Sequence, residues 1–188
     1  MSVIAFVLGS LPTGLLVAKA RGIDPRQAGS GNIGATNILR TAGRGPALLT
    51  LTGDVLKGAM AVVLARYFDV GIFYEGIIGF FAVLGHNFSV FLKFKGGKGV
   101  ATSIGMLSIY SPQTGLFAII IWLMTALITR YSSLAALVSF GILPIGVLFL
   151  DTREKLPVIC LMSLMIFIRH KENIIRIIRG TEPKVGAR

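Results

Sequence analysis

Gly99-Val-Ala-Thr-Ser-Ile-Gly-Met-Leu-Ser-Ile-Tyr110 is the stretch that decides how often this chain crosses a bilayer. It carries no charge, yet it is shorter than the roughly 20 residues a membrane helix needs. It also contains Ser103, Gly105 and Ser108, so it reads either as a span or as a re-entrant half-helix. Around it, the apolar runs 3–18, 46–65, 70–92, 114–129, 132–150 and 156–168 give six clear spans. If 99–110 also crosses, one side of the membrane holds Lys19, Arg21, Arg26, Arg40, Arg44, Lys93, Lys95, Lys98, Arg130, Arg169, Lys171, Arg176, Arg179, Lys184 and Arg188. The other side holds only Arg66, Arg153 and Lys155, with Lys57 inside a span. Without that crossing, Arg130 and the basic tail fall opposite the basic loops and the bias weakens. The positive-inside rule therefore predicts an all-α membrane protein of about seven transmembrane helices, N-terminus outside and C-terminus cytoplasmic.

The composition of the 188 residues agrees: 54% hydrophobic, 14% charged and a formal net charge of +11. A soluble domain typically carries about 25% charged residues, so the apolar surplus must face lipid. Basic soluble nucleic-acid binders spread Lys and Arg over a polar surface that this chain lacks, and no nucleic-acid partner is expected. The single cysteine, Cys160, can build neither a disulfide framework nor a cysteine metal site. Ala18-Lys19-Ala20 imitates a cleavage site, but no charge precedes Lys19 and Gly9, Pro12 and Gly14 interrupt the run, so an uncleaved first span is expected. With no internal repeat, residues 1–188 read as one membrane domain.

A membrane anchor needs apolar spans and a few basic residues, so polar clusters beyond that carry the information. The first is Gly29-Ser30-Gly31-Asn32-Ile33-Gly34-Ala35-Thr36-Asn37 followed by Arg40. Its small residues allow backbone N–H groups to converge on an anion, or simply make a flexible turn. The second is Gly85-His86-Asn87 with Lys93-Phe94-Lys95-Gly96-Gly97-Lys98-Gly99-Val100-Ala101-Thr102. Glycine backbone, lysines and a helix N-terminus suit a phosphate there, although Gly99 after Lys98 breaks the nucleotide-binding P-loop pattern. The alternative is a basic loop that anchors a helix. Third comes Thr129-Arg130-Tyr131-Ser132-Ser133, weak alone. Fourth is the tail, where Arg169, His170, Asn173 and Arg176 share one helical face, or where a basic amphipathic helix rests on anionic lipid. Asp54 and Lys57, three apart inside a span, read equally as a functional pair or a structural staple.

All four clusters fall on the predicted cytoplasmic face, rich in cations, glycines and hydroxyls, which suits a phosphorylated substrate. Acidic metal ligands are scarce on that face, so metal-independent chemistry is favoured and no cofactor is expected. Together, in order along most of the chain, these motifs resemble the bacterial acyl-phosphate:glycerol-3-phosphate acyltransferase family. The resemblance implies a multi-pass enzyme of the cytoplasmic membrane. It would move a fatty acyl group from acyl phosphate to the 1-hydroxyl of glycerol 3-phosphate, giving lysophosphatidic acid and phosphate, the first acylation of phospholipid synthesis. The implied partners are these two substrates and membrane lipid; no protein partner is named.

Carried over motif by motif, the resemblance implies that Ser30, Asn32, Thr36 and the backbone of Gly31 and Gly34 bind a phosphate or stabilise the carbonyl oxyanion, with Asn37 and Arg40 supporting. Lys95, Lys98 and the Gly96-Gly97 turn, with Gly99 and Thr102, hold a second phosphate. Ser133, Arg169, His170, Asn173 and Arg176 enclose glycerol 3-phosphate. Ser30, His86 and His170 are the catalytic candidates. An acyl phosphate has a good leaving group, so direct attack needs no acyl-enzyme. The H-x-x-x-x-D pair of other glycerolipid acyltransferases is absent, because Phe91 and Ile175 stand five residues after the two histidines. With no carboxylate expected to orient either imidazole, a substrate phosphate is the preferred proton acceptor over a lone histidine. A transporter, suggested by Asp54, Lys57 and the broken fourth span, would instead concentrate polar residues near the midplane. A noncatalytic scaffold would leave both glycine-rich loops without a purpose.

Overall fold

The computed structural model describes residues 1–186; Arg188, one of the cations counted above, lies outside them. The described residues form helices and connecting turns, with no strand. In chain order the helices are α1 (Ser2–Ser10), α2 (Thr13–Lys19), α3 (Ala35–Thr41), α4 (Arg44–Tyr67), α5 (Ile72–Asn87), α6 (Val100–Tyr110), α7 (Pro112–Thr129), α8 (Ser132–Leu150), α9 (Leu156–Arg169) and α10 (Lys171–Ile178). Pro12 separates α1 from α2, since proline lacks an N–H and disfavours helical backbone at Leu11 before it. Pro112 likewise forces the extended Ser111 between α6 and α7.

Five segments are long and apolar enough to cross a membrane: Ser2–Lys19, Arg44–Tyr67, Ile72–Leu92, Pro112–Thr129 and Ser132–Leu150. Their outward faces carry Val3, Leu127, Ile128 and Phe149, each more than three-quarters exposed, a surface suited to lipid. The other two expected spans are shorter. At 1.5 Å per residue the 11 residues of α6 rise only about 17 Å and the 14 of α9 about 21 Å, against roughly 30 Å of hydrocarbon.

Helix ends nevertheless sort into two groups. At one end, Arg66 pairs with Glu75 at 2.9 Å and donates to the Ile109 carbonyl at 3.0 Å. Ser111 donates to Asp151, and Lys155 binds Asp151 at 2.9 Å while lying over the Tyr110 ring. At the other end, Thr36 meets Ser132 at 3.0 Å, Arg169 reaches Gly97, and Val185 donates to the Arg130 carbonyl at 2.7 Å. Consecutive helices from α4 to α9 therefore run in alternating directions.

Glycines set the closest approaches. Gly58 of α4 lies on the Thr102 carbonyl and Gly105 of α6 on the Val55 carbonyl, where a Cβ would overlap backbone; such small-residue contacts are how membrane helices approach. Since α4 and α6 end together at Arg66 and Ile109, and α4 has 24 residues to the 11 of α6, α6 begins about 20 Å inward of the first turn of α4. The N-terminus of α6 is thus sunk into the bundle. Below it, Met106, Leu107, Tyr110, Phe140, Leu143, Ile159 and Met162 close the core.

Candidate active site

Asn37, buried in the first turn of α3, organises the loop before it. Its side-chain oxygen accepts from the Ser30 N–H at 2.8 Å, and its amide donates to the carbonyls of Pro25, Ala28 and Asn32. Every polar atom is committed, so Asn37 shapes the loop and has nothing left to offer a ligand. Asn32 caps the Gly34 N–H at 3.1 Å. Gly31, at φ +72°, adopts the left-handed backbone that glycine tolerates. Ser30 is exposed at the rim, and Thr36 is held by Ser132, a contact the sequence did not disclose.

The second glycine-rich loop folds back onto α5. Gly96 and Gly97 donate to the carbonyls of Asn87 and His86 at 3.1 and 3.0 Å, which uses the last acceptors of that helix. Arg169 donates to both of their carbonyls at 2.9–3.1 Å and lies 5.3 Å from the Phe88 ring. A Cβ on Gly97 would collide with the His86 imidazole. The backbone N–H groups of Gly96 and Gly97, expected to meet a phosphate, thus bond to the end of α5, and Arg169, expected beside glycerol 3-phosphate, engages Nε and one of its two terminal nitrogens with this loop. Lys95 is exposed and outside the cavity lining, and Thr102 is buried outside it as well. Lys98 is the side chain the loop delivers inward; its ammonium donates to Asn173 at 2.5 Å. Burial lowers its pKa to about 8 despite the nearby Glu182.

Glu182 is the residue that sequence reasoning passed over. Beyond α10 the chain turns back and inserts this carboxylate among the expected substrate-binding groups. One oxygen accepts from Ser133 and from Asn173, both at 2.6 Å, and the other from Arg176 at 2.7 Å. Burial opposes its ionisation, but those three donors overcome burial and hold the carboxyl below its ordinary range. Arg40 secures the same strap through the carbonyls of Pro183 and Lys184. The only advance sign was that Glu182 is one of just two carboxylates, with Glu172, in a strongly basic tail. His170 directs Nδ1 at the Ile166 carbonyl, 2.8 Å away. That contact assigns the proton to Nδ1 and leaves Nε2 as an acceptor. Burial first, and Lys98 second, lower its pKa to about 4, so it is neutral at physiological pH.

Asp54 and Lys57 pair at 2.8 Å. Asp54 also accepts from Thr13 at 2.5 Å, and Lys57 donates to the Leu11 carbonyl freed by the Pro12 break. The staple is therefore built, and it ties α4 to the α1–α2 break. His86 Nδ1 lies 3.5 Å from Asp54. This corrects the expectation that no carboxylate stands beside either imidazole; the pairing joins residues 32 positions apart and follows no sequence spacing.

These groups border one cavity of about 610 Å³. Ser30, Asn32, Gly34, Thr36, Asn37, Arg40, Asp54, His86, Lys98, Gly99, Ser133, His170, Asn173 and Glu182 form its polar part. Leu48, Leu51 and Val55 of α4, Ile104 of α6, and Ile119, Trp122 and Leu123 of α7 form an apolar part. Leu48, Leu51 and Leu123 line the cavity and are exposed, so the cavity is open between α4 and α7. Gly31 and Arg176 lie outside the lining, Arg176 acting on it through Glu182.

Comparison with known proteins gives concordant results. The glycerol-3-phosphate acyltransferase family model matches residues 1–180. A glycerol-3-phosphate acyltransferase of Mesorhizobium japonicum is 47% identical over 99% of this chain and 95% of its own length. One from Thermus thermophilus is 46% identical over 98% and 94%. Among solved structures, the glycerol 3-phosphate form of PlsY, an integral membrane glycerol 3-phosphate acyltransferase, superposes with a TM-score of 0.91 at 36% identity, covering 98% of this chain and 94% of that one. Its lysophosphatidic acid form gives 0.88 at 35% identity, covering 97% and 92%.

Proposed function

Since the chain belongs to the glycerol-3-phosphate acyltransferase family, we propose that it transfers a fatty acyl group from acyl phosphate to the 1-hydroxyl of glycerol 3-phosphate, forming lysophosphatidic acid and phosphate. The observation that carries this reading is the continuity of one cavity from cations and hydroxyls to an apolar groove open toward lipid. Both substrates bring a phosphate, and the donor brings an acyl chain. Solved PlsY structures in glycerol 3-phosphate and lysophosphatidic acid forms support the same acceptor and product.

In this reading Lys98, Ser133, His170 and Asn173 receive the acceptor, with Arg176 and Arg40 completing the positive field. Ser30, Asn32, Thr36 and the loop backbone at Gly31 and Gly34 meet the donor's phosphate or the oxyanion that develops on its carbonyl. The groove formed by α4, α6 and α7 takes the acyl chain. The acceptor oxygen attacks the carbonyl carbon, the bond to the phosphate oxygen breaks, and phosphate departs with that electron pair. No acyl-enzyme is needed. A phosphate dianion, with a second pKa near 6, is a stronger base than His170 at about 4, so the hydroxyl proton passes to a substrate phosphate. His170 then serves as a neutral acceptor that orients the hydroxyl.

The whole chain is read as one integral membrane domain of the bacterial cytoplasmic membrane, crossing seven times with N-terminus outside and the cavity mouth toward the cytoplasm. The alternation of helix ends from α4 to α9 supports this count, the sunken loop before α6 making up the length that α6 lacks. Purified protein incubated with acyl phosphate and glycerol 3-phosphate is expected to release phosphate only when the acceptor is present. Release independent of acceptor, or none, would overturn the reaction.

A further inference from the structure

α10 has two occupied flanks and a third that nothing among the described residues covers. Asn173 faces the cavity and Arg176 binds Glu182. On the opposite flank, Ile175 is 48% and Ile178 79% exposed. At 100° per residue, Ile174, Ile178 and Ile175 form one apolar arc, with Lys171 standing between Ile178 and Ile175 in the first turn and Arg179 at one edge, both cations exposed. Glu172, the single acidic residue of the helix, lies next to Arg179 at that same edge, so the exposed charges Lys171, Arg179 and Glu172 leave the arc net positive.

What borders this arc is visible in the preceding helix. α9 presents Leu161, Leu164, Phe167 and Ile168 outward, each at least 40% exposed, and α10 follows after the single residue His170. The outward apolar surface of a membrane-crossing helix therefore runs directly onto α10, whose exposed arc carries a net positive charge. An exposed apolar arc carrying Lys and Arg, whose long stems let the charged ends reach past the isoleucines, is the pattern of a helix lying in the headgroup region, and anionic lipid attracts such cations. Charge selects the occupant: a zwitterionic surface would satisfy the isoleucines but offer Lys171 and Arg179 no net negative potential.

We propose that α10 lies in the headgroup boundary of an anionic leaflet, and that this contact holds Asn173 and Arg176 in register with Lys98 and Ser133. The effect on the acceptor rests on the acyltransferase reading above; the placement of the helix does not. Lipid composition would then act on acceptor affinity through α10, because the lipid-facing side and the site-facing side belong to the same eight residues.

The test uses the full chain in nanodiscs of phosphatidylcholine with or without phosphatidylglycerol. Ile178→Cys in a Cys160→Ser background carries a fluorophore, and lipids spin-labelled along the acyl chain are the quencher. Quenching is expected to be strong in anionic discs and to fall to the neutral-disc level in Lys171→Gln/Arg179→Gln. The same double variant is expected to raise KM for glycerol 3-phosphate at least about threefold in anionic discs with kcat little changed, and to match the parent in neutral discs. Equal quenching by a water-soluble agent alone, or the same KM ratio in both lipids, would overturn the proposal. Absence of acceptor-dependent turnover in every disc would instead defeat the reaction assignment, while quenching would still decide where α10 lies.

Discussion

Glu182 places one negative charge where three expected substrate ligands meet, so its effect is on their arrangement. Glu182→Gln keeps an acceptor for Ser133 and Asn173 but turns an amide N–H toward the Arg176 donor. Losing a charged hydrogen bond of this kind costs about 1.5–3 kcal/mol; KM for glycerol 3-phosphate should therefore rise about 10- to 100-fold. An unchanged KM would show that the carboxylate does not organise the acceptor site. The folded pKa of Glu182 lies below its ordinary 4.5, so its stabilising contribution is complete above that value and disappears as pH falls through the lowered one. Lys98 acts at the opposite limit. With a pKa of about 8 it is charged below pH 8 and neutral above, so kcat/KM for the acceptor should decline above about pH 8. In Lys98→Arg the decline should move to higher pH. His170, at about 4, should add no inflection near 6.5, and the acid limb should follow the substrate phosphate near 6. An inflection near 6.5 that vanishes in His170→Gln would assign the proton to the protein.

At the level of elements, α4 and α6 depend on two glycines that rest on each other's backbone. Gly105→Ala would press a methyl group onto the Val55 carbonyl. Overpacking of this kind costs about 1–3 kcal/mol, or a fall in Tm of about 2–10 °C for a chain of this size. Thermal unfolding in detergent measures it, and a Tm within 1 °C or so of the parent would show that the helices separate freely. The spans 46–65, 70–92, 114–129 and 132–150 were legible because long, predominantly apolar runs have few alternatives. The start of α6 was legible from Gly99, but its depth was not: depth is set by Gly58 meeting Thr102 and by Arg66 meeting Ile109, contacts between segments more than 40 residues apart. Arg169 shows the same limit. Its motif suggested a group around glycerol 3-phosphate, and only the folded loop reveals that its guanidinium also holds the carbonyls of Gly96 and Gly97.

For the molecule as a whole, the cation tally makes a directional statement that chemistry can check. In a Cys160→Ser background, Arg153→Cys should react with an impermeant maleimide from outside intact cells, and Lys95→Cys only after permeabilisation. The reverse pattern would invert the orientation. Most polar cavity residues lie in the four clusters found by reading the chain, since glycines, hydroxyls and cations are conspicuous against apolar spans. Glu182 and the Asp54–His86 approach were not among those readings, because each depends on the chain returning to a place set by other elements.

The gap between α4 and α7 has a consequence for the membrane itself. In the proposed reaction, a head group bound at one surface and a hydrocarbon tail lying among lipids would let product leave sideways, without passing through water. Every turnover then enlarges a single leaflet. Balanced growth of the bilayer would require a separate means of carrying lipid to the opposite monolayer, at a rate matched to this synthesis.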